Sequence, residues 1–284
     1  MKIGVITDLH LGLRQYGLSE REHDFYEQYY FAVQTLIDQN VDAVIIGGDI
    51  FDQARPSPLA MKTFLHGLNN FKSNGIQVMN IIGNHAMIQS PDFVTADEFI
   101  FNTVQETMVK ESSVTNNLNS YPFVLLNENN VFETDDVFIC GLPYFFNFAL
   151  DELIEEINKL NGLAAEHSNK KTILVLHQEF KEYCGYTGAS LSIDDIDISN
   201  FDLLICGHIH NRVLTETSQG CIYLQPGSIE RCSVAEARDE EKEGKGVYVI
   251  DTSKMDLDSL YVLTKDKNTD YKMLILKQAK ILGS

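Results

Sequence analysis

Basic residues are scarce in this 284-residue chain: 22 lysines and arginines stand against 41 aspartates and glutamates, a formal net charge of −19. That balance excludes a protein that grips a polyanion with its whole surface, so any nucleic acid needs a local basic patch or a partner protein. The acid excess otherwise makes a well-solvated surface. Cysteines are few, odd in number at five, and nowhere spaced as C-x-x-C, which excludes a disulfide framework and a thiolate zinc site and fits a reducing cytosol. Long hydrophobic runs are missing too. The longest uncharged apolar stretch, CGLPYFFNFAL from Cys140, falls far short of the ~18 residues a membrane span needs. The N-terminal MKIGVITDLHLG carries one lysine and is broken by Asp8, so it resembles neither a signal nor a transit peptide. Internal repeats and low-complexity linkers are also lacking. The expectation is a soluble, cytoplasmic protein, or a nucleoid-associated one in a bacterial or phage-infected cell.

What is present is an ordinary folded composition, 44% apolar and 22% charged, long enough for one large or two modest domains. The first half alternates KIGVIT, a helix over about 22–40, DAVIIGG, a helix over 57–73, QVMNIIG and a helix over 92–110. That rhythm is βαβ. Ser57-Pro58 supplies an N-cap followed by proline at the first helical position. Beyond Val114, shorter strands are predicted in VFETDDVFICGL, TILVLH, DLLICGH, CIYLQPG and GVYVID, interrupted by a helix over 151–163. The polar run ARDEEKEGKG reads as an exposed hairpin or loop. The tail over 256–284 has room for one or two small elements.

Five apolar strands end alike. GVIT runs into Asp8-Leu9-His10, AVIIG into Gly48-Asp49-Ile50-Phe51-Asp52, NII into Gly83-Asn84-His85, ILVL into His177, and LLIC into Gly207-His208-Ile209-His210. Ligands in α/β sheets bind beyond the carboxyl ends of strands, so these ends belong on one rim. The residue types suit two divalent metals sharing a bridge. Asp8 and His10 lie two apart on a chain expected to be extended, about 7 Å apart at the backbone with side chains on one side, and His208 and His210 repeat the arrangement. A carboxylate such as Asp49 can hold one ion on each oxygen. Asn84 is a neutral oxygen ligand that leaves positive charge for a phosphate. Paired ions clamp both oxygens of a phosphoester and lower the pKa of water. Taken singly, the same motifs read as a capped turn, a turn signal and a core histidine. Their order and their shared position after strands favour the metal reading. His23, His66 and His167 read as surface residues, and Cys206 as a buried strand cysteine.

The ordered set D-x-H, G-D-x-x-D, G-N-H, His and G-H-x-H resembles the calcineurin-like metallophosphoesterases. More narrowly, GDIFDQARPSP, GNH, and QPGSIER followed by an acidic stretch and KGVYVID are similar to the SbcD-type DNA repair nucleases, also called the meiotic recombination 11 family. The resemblance spans about 1–255. It implies a four-layer α/β/β/α sandwich of two mixed sheets, with the site at one edge. It places Asp8, His10, Asp49 and His210 around a first metal, and Asp49, Asn84, His177 and His208 around a second. It gives His85 the scissile phosphate and the protonation of the leaving oxygen. Two manganese ions are implied, with magnesium as a substitute. The family has aspartate where this chain has Ala86, and Asp52 is expected to take that part.

The implied activity is a two-metal DNA nuclease, a 3′ to 5′ double-strand exonuclease and single-strand endonuclease in repair, recombination or replication. Implied partners are DNA, an SbcC-type ATPase and a second copy of the chain. Helices over 57–73 and 92–110, with Phe93, Phe99, Ile100, Phe101 and Val104, supply either a pairing face or their own core. Arg55, Arg212 and Arg231, each beside a motif, are the expected local phosphate contacts. The nuclease domain is placed at 1–255 and a short extension at 256–284, so the family's capping domain is expected to be absent, reduced or truncated. Two readings compete. One is a phosphodiesterase for small substrates, although GDIFDQA lacks the Arg-Gly of the phosphoprotein phosphatases. The other is a catalytically weak scaffold, which should have lost ligands that this chain keeps.

Overall fold

The computed structural model describes residues 1–87, 94–111, 122–185, 188–239, 245–257 and 260–264. The first sheet has β1 (Lys2–Ile6), β2 (Ala43–Ile46), β3 (Gln77–Asn80) and β4 (Phe123–Leu125) in parallel, extended beyond β1 by antiparallel β11 (Gly246–Asp251) and β12 (Tyr261–Thr264). The second has β6 (Val137–Gly141), β7 (Lys171–His177), β8 (Leu203–Gly207) and β10 (Ile222–Gln225) in parallel, edged by antiparallel β5 (Phe132–Glu133) and β9 (Val213–Glu216). Helices α1 (Ser19–Asp38), α2 (Pro58–Ser73) and α3 (Ala96–Glu111) connect or flank strands of the first sheet. Helix α4 (Leu150–Glu166) joins β6 to β7, and a short α5 (Val234–Asp239) precedes β11.

Strand alternation makes the layers. Ile3, Val5, Ile45 and Met79 point between the sheets and meet Ile139, Val175 and Ile205. The other face of the first sheet, with Ile6, Val44, Ile46 and Val78, packs on Tyr29, Val33 and Leu36 of α1 and Phe64 and Phe71 of α2. Leu174, Leu204 and Tyr223 pack on Leu153, Ile157 and Leu160 of α4. The expected α/β/β/α sandwich is what these three cores build. Among the described residues no helix is long and apolar enough to cross a membrane.

The Ser57 cap is present, its Oγ accepting from the Ala60 amide at 3.1 Å ahead of Pro58. Helix α3 begins with a reciprocal box, Thr95 N donating to Glu98 and Glu98 N to Thr95 Oγ1. Of the residues considered for a pairing face, Ile100 and Phe101 are turned into their own core and Val104 packs against it, whereas Phe99 is 56% exposed; Phe93 lies outside the described residues. Part of ARDEEKEGKG is helical, as the end of α5. β12 pairs with β11, so the first sheet continues past residue 255.

Asn80, at the end of β3, donates from Nδ2 to Asp97 Oδ1 at 2.7 Å, and both side chains are buried. Asn80 Oδ1 and Asp97 Oδ2 have no partner among the described residues. Burial, opposed by the Asn80 hydrogen bond and reinforced by the charge of Asp49, pushes the Asp97 carboxyl up to about 7. A carboxyl with a raised folded-state pKa stabilises the fold when protonated, and that contribution disappears as pH climbs from the ordinary aspartate range through 7. Asp97→Asn should therefore gain melting temperature over the wild type as pH goes from 5 to 8, by on the order of a few kcal/mol of stability. Parallel melting curves at both ends of that range overturn this assignment.

Candidate metal centre

The carboxyl ends of β1, β2, β3, β7 and β8 meet at one edge of the sandwich, and all seven expected ligands lie there. The segments after β1 and β2 run side by side, His10 N donating to Asp49 O at 3.0 Å and Leu11 N to Ile50 O at 2.9 Å. These loops are not extended. Asp8, His10, Asp49 and His208 have φ of 52°, 43°, 49° and 86°, left-handed values that non-glycine residues rarely adopt. The sharp turns hold the ligands close together, so the pairing of Asp8 with His10 arises from a turn rather than from strand alternation. Gly83 and Gly48 clear the approach: a Cβ on Gly83 would collide with the Asp49 carboxylate, and one on Gly48 with the His177 ring.

On one side His10 Nε2 and His210 Nε2 stand 3.1 Å apart, with Asp8 Oδ1 4.0 Å from the latter. Donor atoms of Asp8, His10 and Asp49 all lie within 4.8 Å of one another. On the other side Asn84 Oδ1 is 3.0 Å from His177 Nε2 and 2.9 Å from His208 Nδ1, and His177 Nε2 is 3.2 Å from Asp49 Oδ2. Asp49 sits between the two groups. Its Oδ1 accepts from the His85 amide at 3.0 Å.

Outer contacts set which nitrogen faces inward. His177 Nδ1 donates to the Gly47 carbonyl at 2.7 Å and His210 Nδ1 to Glu236 Oε1 at 3.2 Å, so both present Nε2. His208 is reversed, with Nε2 3.7 Å from Glu179. Burial, then repulsion from neighbouring imidazoles, lowers His10 to about 3 and His208 to about 4, leaving both neutral as ligands must be. Burial also works against charging His177, but the adjacent Asp49 carboxylate prevails and raises it to about 9. Against its own burial, Asp49 is held below the usual carboxylate range by His177. For Glu236 burial is likewise overcome, by His210 and Lys245, giving about 2.

The residues fit divalent ions. Asp8 Oδ2 is buried without a hydrogen-bond partner among the described residues. Neighbouring donors around an octahedral ion with bonds of about 2.0–2.1 Å are about 3 Å apart, the separation seen here. The seven expected ligands are imidazole, carboxylate and amide, a mixed set that suits a divalent transition ion, and the Cys232 thiol also lies within 4.8 Å of donor atoms of His10 and His210.

His85 lies beside the first group, with ligand atoms of His85, His10 and Asp52 all within 4.8 Å of one another. Its side chain is 37% exposed, and its Nε2 is 4.0 Å from Asp49 Oδ2. Its Nδ1 donates to the main-chain carbonyl of Asp52 at 2.6 Å, while the Asp52 carboxylate is 3.9 Å away. Asp52 thus holds His85 by its backbone, not by the side chain. Ala86 is buried beside it.

The arginines divide. Arg55 is exposed and Arg212 half-buried, but Arg231 is only 6% exposed. Arg21 of α1, fully buried, donates to the Arg231 carbonyl at 2.5 Å, and the Arg231 amide donates to Glu230 at 2.8 Å. QPGSIER is therefore an internal bracket, and a surface phosphate contact does not suit Arg231. Glu236, missed in the sequence, reaches His210 from α5; it stands just ahead of the acidic run ARDEEKEGKG and had no signal of its own. A cleft of about 580 Å³ opens beside Asp52, lined also by Leu11, Arg14 and Gln53.

The family model described as calcineurin-like phosphoesterase matches residues 1–212. The DNA double-strand break repair protein Mre11 of Methanocaldococcus jannaschii is 29% identical over 254 residues, covering 89% of this chain and 63% of that protein. The protein of the same name from Sulfurisphaera tokodaii is 30% identical over 273 residues, covering 93% and 65%. This chain thus spans a little under two thirds of these curated relatives. A dimetal phosphatase from Danio rerio shares the fold at a TM-score of 0.53 and 11% identity, over 88% of this chain and 91% of that one.

Manganese or magnesium should raise the melting temperature, by about 2.7 kcal/mol of stability at a hundredfold excess over Kd, and Asp49→Ala should remove the increment. A proton on His177 must leave before its Nε2 can serve an ion, so the increment should grow from pH 6.5 towards 9. Calorimetry showing no metal-dependent shift anywhere in that range counts against the centre.

Proposed function

Because this chain belongs to the calcineurin-like phosphoesterase family, we propose that it is a two-metal DNA nuclease that trims duplex ends from the 3′ side and cuts single strands. The observation that carries the reading is the convergence of seven donor side chains from five strand ends, with one exposed imidazole beside them. Divalent ions, when bound at such a site, offset phosphoryl charge and lower the pKa of water. The ligands for the first ion are Asp8, His10, Asp49 and His210; those for the second are Asp49, Asn84, His177 and His208. Manganese is the proposed resident.

His85 provides the proton chemistry. With Nδ1–H committed to the Asp52 carbonyl, the other nitrogen, Nε2, is the one that exchanges a proton with the substrate. A protonated Nε2 donates to the leaving oxygen. The Asp52 carbonyl and the T-shaped contact with His10, at 4.7 Å between ring centroids, fix the ring's direction. Asp52 is therefore a positioning residue. DNA as substrate is supported by the similarity to proteins named for double-strand break repair. The acidic surface fits a division of labour in which an SbcC-type ATPase supplies the wider grip and Arg55 and Arg212 make local contacts. A second copy of the chain is proposed to pair through the exposed Leu59 and Leu65 of α2 and Phe99 of α3. Because β12 completes the first sheet, the proposed phosphoesterase domain runs past the expected boundary at 255 to include Tyr261–Thr264, with a short extension after it.

With manganese, the wild type should degrade 3′-labelled duplex and single-stranded DNA. His85→Gln should lower kcat about 10²-fold or more while keeping the metal-induced rise in melting temperature. Ala86→Asp should change kcat little, because Nδ1 is already held. DNA left intact with and without the ATPase, alongside turnover of a small phosphodiester, would transfer the assignment to the small-substrate reading.

A further inference from the structure

The run read in the sequence only as the longest apolar stretch has an unexpected shape. From the end of β6 the chain passes Tyr144, Phe146 and Phe148, whose rings form a file leading out of the metal centre. The Tyr144 ring lies 5.4 Å from His208 and 6.3 Å from His177. Phe146 meets Tyr144 edge-on at 5.3 Å and stacks on Phe148 at 5.4 Å with the planes 6° apart. Phe148 is 79% exposed.

Local folding does not account for this exposure. Phe148 precedes Ala149, the N-cap of α4, where an apolar residue ordinarily staples to the helix's first turn. Leu153, the residue it would meet, is buried in the outer core of the second sheet while Phe148 stands in solvent. Phe145 packs against that core instead.

The file is tied to the ligand-bearing segments. Tyr144 N donates to the Ile82 carbonyl, two residues before Asn84, at 2.8 Å. The buried Gln178, adjacent to His177, clamps the Phe145 main chain from both sides, accepting from its amide at 3.3 Å and donating to its carbonyl at 2.8 Å. Rings held this way keep their distance from the metal ligands, as a substrate subsite requires.

Resting on the nuclease reading above, we infer that Tyr144, Phe146 and Phe148 are a stacking platform for the nucleobases of a single DNA strand whose phosphate lies at the metal centre. Two observations select this occupant. The file is continuous with the ligand imidazoles, so whatever covers it also reaches the reacting phosphate. And with 41 acidic against 22 basic residues, phosphate contacts are costly over most of the surface, whereas stacking on uncharged rings is indifferent to that charge and to base sequence.

The chain contains no tryptophan, so Phe148→Trp installs a single reporter. In a His85→Gln background, which limits cleavage, oligothymidine should quench that fluorescence, and an abasic oligomer with the same number of phosphates should not. Phe146→Ala with Phe148→Ala should raise KM for single-stranded DNA about tenfold or more, keep the manganese-induced rise in melting temperature, and be rescued by Phe148→Trp alone. Equal quenching by the abasic oligomer, or an unchanged KM in the double variant, overturns the platform and leaves the nuclease reading standing. A wild type that hydrolyses the small diester and never DNA overturns the nuclease reading itself. Should the double variant fail to fold, the tryptophan comparison still decides.

Discussion

The structure turns on the Asp49 carboxylate, almost wholly buried where the two sheets come together. It lies after β2 of the first sheet and touches His177 at the end of β7 in the second, while its other oxygen receives the amide of His85 after β3. A buried charge must be paired or hold a metal, and Asp8 brings a second carboxylate, also buried, to the same edge. Without an ion, a proton on His177 supplies the compensation; with one, the ion takes its place. The site's electrostatics and the docking of the sheets are thus one problem. The crowding shows how tightly it is solved: Gly83 and Gly48 stand where a single methyl would strike a ligand.

What the sequence revealed of this centre, and what it hid, follows from range. Strands, helices and the Ser57 cap depend on near neighbours and on period, so they could be read along the chain, as could the polar residues closing each strand. Gathering those residues into one site required strands from two sheets to meet, which the ordered motifs imply only through resemblance. Other features were invisible for identifiable reasons. The left-handed φ of Asp8, His10, Asp49 and His208 has only a weak compositional mark, since aspartate and histidine enter that region more often than other side chains but the usual signal is glycine. Glu236 reaches His210 across 26 residues from a position just before the acidic run, and a single glutamate carries no pattern to mark it. Asp52 acts through a carbonyl, which every residue possesses. Arg231 sits beside a motif yet is buried, because Arg21, far away in sequence, pulls its loop inward. Strands β4 and β9 were missed as well, one very short and the other at a sheet edge and only partly buried, both too weakly patterned to stand out.

Ala86 is intelligible in the same terms. A carbonyl can accept a hydrogen bond only from a protonated Nδ1, so the Asp52 main chain fixes the His85 tautomer without adding charge. The neighbourhood already holds Asp8, Asp49 and the Asp52 carboxylate, whose own ionisation is disfavoured by burial. An alanine at 86 leaves His85 oriented, because the Asp52 carbonyl already holds Nδ1.

The same excess of acid bears on how a nucleic acid can be held at all. Counterion release needs clustered lysines and arginines, and of the three arginines beside the motifs one is spent on internal structure. On the nuclease reading, the wider grip would then come either from another protein or from contacts that do not involve the phosphates. The platform inferred above would satisfy the second route, since stacking would act on the base while metals would act on the backbone. A strand engaged at both points has its scissile phosphate positioned by groups of opposite character, and that arrangement favours unpaired DNA, because a base must leave its duplex partner to lie against phenylalanine.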